Sequence, residues 1–146
     1  MKGMKQIGII LTLCLLLTAC SKEDDISEIF EGNRFKITGL TYNGQKVVKE
    51  VKDFYAGDNV YWISFSQLAF SGVLEAGVQI EGSWSADGKN RELTMRVSSP
   101  KNVDNTSDLC GKVYNIIKNA TEYSGDKNVL KIKKDNNTFI ELNSMY

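Results

Sequence analysis

Short stretches in which apolar and polar side chains alternate, separated by turn-forming dipeptides, restrict this chain to an antiparallel β-fold. Val78, Ile80, Gly82 and Trp84 alternate with Gln79, Glu81, Ser83 and Ser85. Beyond Asp87-Gly88, Leu93, Met95 and Val97 alternate with Glu92, Thr94 and Arg96. Phe35 and Ile37 face one way, Lys36 and Thr38 the other, and Asn43-Gly44 supplies the strongest short-range hairpin signal before Val47 to Val51. In Tyr61-Trp62-Ile63-Ser64-Phe65-Ser66 the core face is Tyr61, Ile63 and Phe65. Residues two apart on a strand share a face, so each stretch has one side to bury. Strands at this spacing predict a mainly β domain, a small antiparallel β-barrel or sandwich.

One segment changes period. Leu109, Val113, Ile116, Ile117 and Ala120 follow i, i+4, i+7, i+8, i+11, the stripe of a single amphipathic helix. Asn105, Thr106 or Ser107 can cap its start, and Asp108 suits the positive end of its dipole. Val129-Leu130-Lys131-Ile132 and Thr138 to Leu142, joined by Asp135-Asn136-Asn137, then form a terminal hairpin.

The amino terminus obeys other rules. Lys2 and Lys5 precede Ile7 to Leu17, which carry no charge, and Leu17-Thr18-Ala19-Cys20 follows on. An apolar run of this length rises about 16 Å as a helix, roughly half of a ~30 Å hydrocarbon core. A signal-peptide core fits, a spanning helix does not. The closing four residues resemble a bacterial lipobox, so residues 1–19 are expected to be a lipoprotein signal peptide and Cys20 the acylated residue. The thiolate is the nucleophile that takes the first lipid, and two or more acyl chains anchor stably. Residues 20–32 read as the lipidated cysteine and an acidic tether. Ser21 to Glu31 carries Glu23, Asp24, Asp25, Glu28 and Glu31, and is expected to stay solvated with a reach of ~35–40 Å. Lys22-Glu23-Asp24-Asp25 also resembles the acidic export signal of Bacteroidetes surface lipoproteins, which implies display at the cell surface; a plain polar linker would leave the protein at the periplasmic face of the outer membrane.

Cleavage before Cys20 would leave one domain, residues 33–146. Of 18 basic residues the leader removes Lys2 and Lys5, leaving 16 against 18 acidic, a net charge of −2. No basic patch invites nucleic acid, and anionic lipid would not attract the domain. With Cys14 in the leader and Cys20 acylated, Cys110 stands alone and forms no internal disulfide. Histidine is absent, which removes the commonest general base and metal ligand. No nucleophile elbow, phosphate loop or metal spacing occurs, and Asp87, Asp104 and Asp108 form no calcium loop. No catalysis, cofactor or metal is therefore expected.

Three stretches are similar to the META domain of HslJ-type heat-shock lipoproteins: Ile80 to Gly88 followed by Leu93, Cys110 at the helix start, and Val113 to Ile117 through Tyr123 to Leu130-Lys131-Ile132 and Phe139-Ile140. The resemblance covers most of residues 33–142, lacks the family's Gly-Cys-Asn turn, and implies a barrel-like β-structure with one packed helix and no established activity.

Trp62 shares its strand face with Ser64 and Ser66. With Tyr55 it is the candidate contact patch for an envelope protein or a glycan; the bland alternative is a ring covering a barrel edge. Trp84, in phase with Ile80, belongs to the core. Cys110 is either a redox handle at a helix N-terminus or, with Val113 on the same stripe, a buried inert thiol. Lys131, Lys133 and Lys134 read as protection of an exposed strand edge. The expected function is a membrane-anchored binding module; a lipocalin-like barrel for an apolar molecule is the alternative.

Overall fold

In the computed structural model the described residues are 23–47, 54 and 57–145. Among these residues nine strands run in chain order: β1 (Arg34–Tyr42), β2 (Gln45–Lys46), β3 (Trp62–Phe65), β4 (Ala69–Val73), β5 (Gln79–Asp87), β6 (Glu92–Ser99), β7 (Glu122–Gly125), β8 (Val129–Asp135) and β9 (Thr138–Ser144). Every pairing is antiparallel, and β1 pairs with both β3 and β9. The ring closes through eight strands, with β2 a short hairpin arm on β1. At eight strands a barrel is just wide enough for side chains to fill it. Phe35, Ile37, Ile63, Phe65, Ile80, Leu93, Leu130, Ile132, Ile140 and Leu142 do so, all buried. The alternation seen in sequence is thus the inside-outside alternation of a closed barrel, and Trp84 lies inside as expected, donating Nε1–H to the Ser66 carbonyl at 2.9 Å.

Two glycines let the strands approach. A Cβ on Gly82 would sit 1.9 Å from the Arg96 carbonyl oxygen, and one on Gly72 2.3 Å from that of Trp62. A register shift between Glu81 and Gly82 accompanies the first approach, as a bulge bends and twists its strand.

A helix packs at each end. The longer, α2 (Asp108–Lys118), is capped by Ser107, whose hydroxyl accepts from Cys110 N–H at 3.2 Å. β6 and β7 meet only near Glu92 and Glu122. The buried stripe of α2, Leu109 to Ile117, packs on β6, β8 and β9. Tyr114 Oη donates to the Pro100 carbonyl at 2.6 Å and tethers the helix to the segment leaving β6.

The other end is closed by α1 (Ile26–Ile29), capped by Asp25, and here the expected solvated tether is corrected. Phe30 is 0 % exposed and its ring lies 5.1 Å from Phe65, 5.0 Å from Trp84 and 5.2 Å from Tyr123. Asp24 N–H donates to the Gly88 carbonyl, its carboxylate pairs with Arg91 at 3.1 Å, and Glu28 pairs with Lys127 at 3.3 Å. The acidic residues masked an Ile-x-x-Ile-Phe run able to plug the barrel mouth. The segment from Asp24 to Phe30 is therefore packed against the barrel rather than solvated.

The lysine reading is also corrected: β8 is no edge, being paired with β7 on one side and β9 on the other. Lys131 lies 4.8 Å over the Phe139 ring, and Lys134 Nζ reaches Asn115 Oδ1 at 3.4 Å. No described helix is long and apolar enough to cross a membrane. Cys20 and Tyr55 lie outside the described residues.

Candidate functional site

β3 sends Ile63 and Phe65 inward and Trp62 and Ser64 outward. Register then decides what surrounds the indole. Arg34 on β1 is opposite Ser64 and Lys36 is opposite Trp62. The Arg34 guanidinium carbon lies 3.8 Å from the Trp62 ring centroid, stacked on one face of the indole, and the indole donates Nε1–H to the Asn59 carbonyl at 3.3 Å. Arg34 Nε is buried with no hydrogen-bond partner. Lys36 Nζ donates to the carbonyls of Gly57, at 2.9 Å, and Val60. Burial pushes the Lys36 ammonium below its ordinary range, with the Asp58 carboxylate pulling the other way. The two basic residues thus pin the ring and the loop before it.

Beside Trp62 the outer face of β3–β6 is built from small side chains. Ser64 is opposite Ser71, Ser71 opposite Glu81, and Glu81 opposite Ser99. A groove of about 360 Å³ runs over Ser64, Ser66, Ser71, Glu81 and Ser98. A second, of about 330 Å³, joins it at Ser71 and Glu81 and ends against Trp62. Ser66 Oγ donates to the Ala69 carbonyl and Ser98 Oγ to that of Glu81. The trough presents hydroxyls, one exposed carboxylate and an aromatic wall. This inventory suits hydrogen bonding and stacking.

Of the residues singled out in the sequence, Trp62 lies on this outer face. Sequence reasoning missed Arg34 and the serines of β4 and β6, although Trp62-Ile63-Ser64-Phe65-Ser66 already placed three outward side chains in a row. Cys110 is buried at the start of α2, and burial raises its thiol above the ordinary range, the state of an inert thiol. Among the described residues no group of three or more His, Cys, Asp or Glu side chains is placed to hold a metal.

Residues 21–143 match a sequence family described as "Domain of unknown function (DUF4847)". A crystal structure of a DUF4847 family protein from Bacteroides vulgatus ATCC 8482 is similar at a TM-score of 0.61 and 19 % identity, over 82 % of this chain and 96 % of that one. At that identity the likeness is one of fold. No curated protein matches, and the comparisons return this family rather than the META domain.

Proposed function

The chain belongs to the DUF4847 family, and we propose that it is an outer-membrane lipoprotein, anchored through acylated Cys20, that acts as a small binding module without catalysis. Its contact surface is the groove over β3–β6 that ends at Trp62. One observation carries this reading: the indole is already fixed, by Arg34 on its face and Asn59 at its nitrogen, beside a trough of hydroxyls. A ring ordered in advance loses little entropy on contact. Tyr55, seven residues ahead of Trp62 in the sequence, is assigned to the same patch in this proposal. The occupant is an envelope protein or a glycan, met at the cell surface or in the periplasm. Kinship with the META domain, suggested by residues 80–88 and 113–140, is part of the proposal; the barrel with one helix before its terminal hairpin supports it.

The alternative, a lipocalin-like barrel, has the filled interior against it. Phe30, Phe35, Phe65, Trp84 and Tyr123 occupy the space an apolar ligand would need. A catalytic role has against it a chain without histidine.

The test is photo-crosslinking on intact cells from a probe placed at Ser71, in the native chain and in Trp62→Ala. A discrete product in the native chain that disappears in the variant supports the groove. No product, or one indifferent to the indole, sinks it. Displacement of an apolar dye by fatty acids would favour the lipocalin-like reading instead.

A further inference from the structure

Resting on the proposed acylation of Cys20, we propose that the α1 end of the barrel sits directly on the bilayer surface, its ligand a zwitterionic phospholipid headgroup layer. The first argument is the shortness of the link. Asp24 is fixed to the barrel by its bonds to Gly88, Arg91 and Tyr123. Cys20 is four residues upstream, and four residues span at most about 14 Å. An acylated cysteine at that distance brings this end, and no other, against the lipid.

The second argument is where the apolar surface lies. Leu68 is 74 % exposed and Val129 55 % exposed, the large hydrophobic side chains left out of the core among the described residues. Leu68 sits in the turn between β3 and β4, and Val129 opens β8 after the turn from β7. Both are at the α1 end, on strands well separated around the ring. They flank the mouth that Phe30 plugs, as two points of contact with a surface would.

Charge selects the lipid. Glu23, Asp25, Glu28 and Asp126 crowd this end and outnumber its cations Lys89, Arg91 and Lys127. Acidic headgroups repel such a rim, whereas a zwitterionic layer does not. The opposite end, with α2 and the β8–β9 turn, then points away from the membrane, and the Trp62 groove opens sideways on the barrel wall.

The test places a fluorophore at Gln67→Cys or Asn128→Cys, beside the two apolar residues, and at Lys101→Cys or Asn136→Cys at the far end; buried Cys110 is left in place. The full acylated chain is reconstituted in phosphatidylethanolamine–phosphatidylcholine vesicles carrying a headgroup-level quencher. Quenching several-fold stronger at 67 and 128 than at 101 and 136 is expected. Equal or reversed quenching, with acylated Cys20 verified by mass spectrometry in the same sample, overturns the orientation and leaves the anchor standing. A Cys20 without acyl chains overturns both.

Discussion

Tyr123 donates its hydroxyl to Asp24 Oδ2 at 2.8 Å, the same oxygen that Arg91 Nε reaches at 3.1 Å. The bond joins β7 to the segment ahead of α1, residues 99 apart in sequence, and closes the barrel mouth over Phe30. Burial first, then the bond to Asp24, pushes the Tyr123 hydroxyl well above the ordinary phenol range. Its folded value lies above its unfolded value, so the unfolded chain ionises first as pH rises. The stabilisation is complete below about pH 10 and is lost as pH climbs above it. Tyr123→Phe should cost about 1 kcal/mol at pH 7 and flatten the alkaline fall in stability. Urea denaturation from pH 7 to 11 checks both; an unchanged alkaline slope would show that the bond does not matter. Tyr114 and Cys110, both also raised by burial, contribute to the slope that remains.

The plug itself gives the next expectation. Phe30 is enclosed by Phe65, Trp84 and Tyr123, and emptying such a site costs about 3–5 kcal/mol. Phe30→Ala should fall in that range, while exposed Glu31→Ala stays within about 0.5 kcal/mol. A chain lacking residues 1–32 should be destabilised at least as much as Phe30→Ala. Calorimetry showing no loss in Phe30→Ala would restore the reading of this segment as a mere linker.

The sequence was most legible where periodicity is strong and local. Ile80 to Trp84, Leu93 to Val97 and Leu109 to Ile117 each declare their buried face without help from the rest of the chain, and Ser107 declares the helix start. Three things were not legible. Phe30 was hidden because five acidic residues between 23 and 31 dominate the composition around a helix only four residues long. β4 was hidden because Ala69-Phe70-Ser71-Gly72-Val73 offers only Phe70 and Val73 as bulky apolar residues, the glycine being there for close approach to β3 rather than for a turn. The lysines of β8 were misread because edge or interior is a property of ring closure, which depends on β1 meeting β9. The same limit holds at the groove: Trp62 was visible as an outward aromatic, but the Arg34 stack and the Ser64–Ser71–Glu81 row exist only through register between strands.

Glycine positions separate close packing from mere flexibility. A methyl on Gly82 would meet the Arg96 carbonyl oxygen at 1.9 Å and Phe70 Cε1 at 2.9 Å, so Gly82→Ala should cost about 3 kcal/mol, the upper part of the overpacking range. Gly111, inside α2, has nothing within 4 Å of its absent Cβ. Replacing a helical glycine there removes backbone entropy at no steric cost, and Gly111→Ala should stabilise by up to about 1 kcal/mol. Thermal melts of the two variants should move in opposite directions. Destabilisation by Gly111→Ala would mean that the exposed side of α2 is covered by something.

The two tryptophans offer the sharpest contrast, because they differ in what their truncation removes. Trp84 is 8 % exposed, touches Phe30 and Phe65, and holds the Ser66 carbonyl; Trp84→Ala should cost about 3–5 kcal/mol. Trp62 loses only its stack with Arg34 and a long bond to Asn59, and a cation–π contact near the surface is worth about 0.5–1 kcal/mol. Trp62→Ala should therefore remain folded with close to the native urea midpoint. That outcome would fit the contact role proposed for the indole, which is held flat beside the serine groove. If Trp62→Ala proves as costly as Trp84→Ala, the indole is cover for the barrel wall, and the proposed binding surface loses its principal residue.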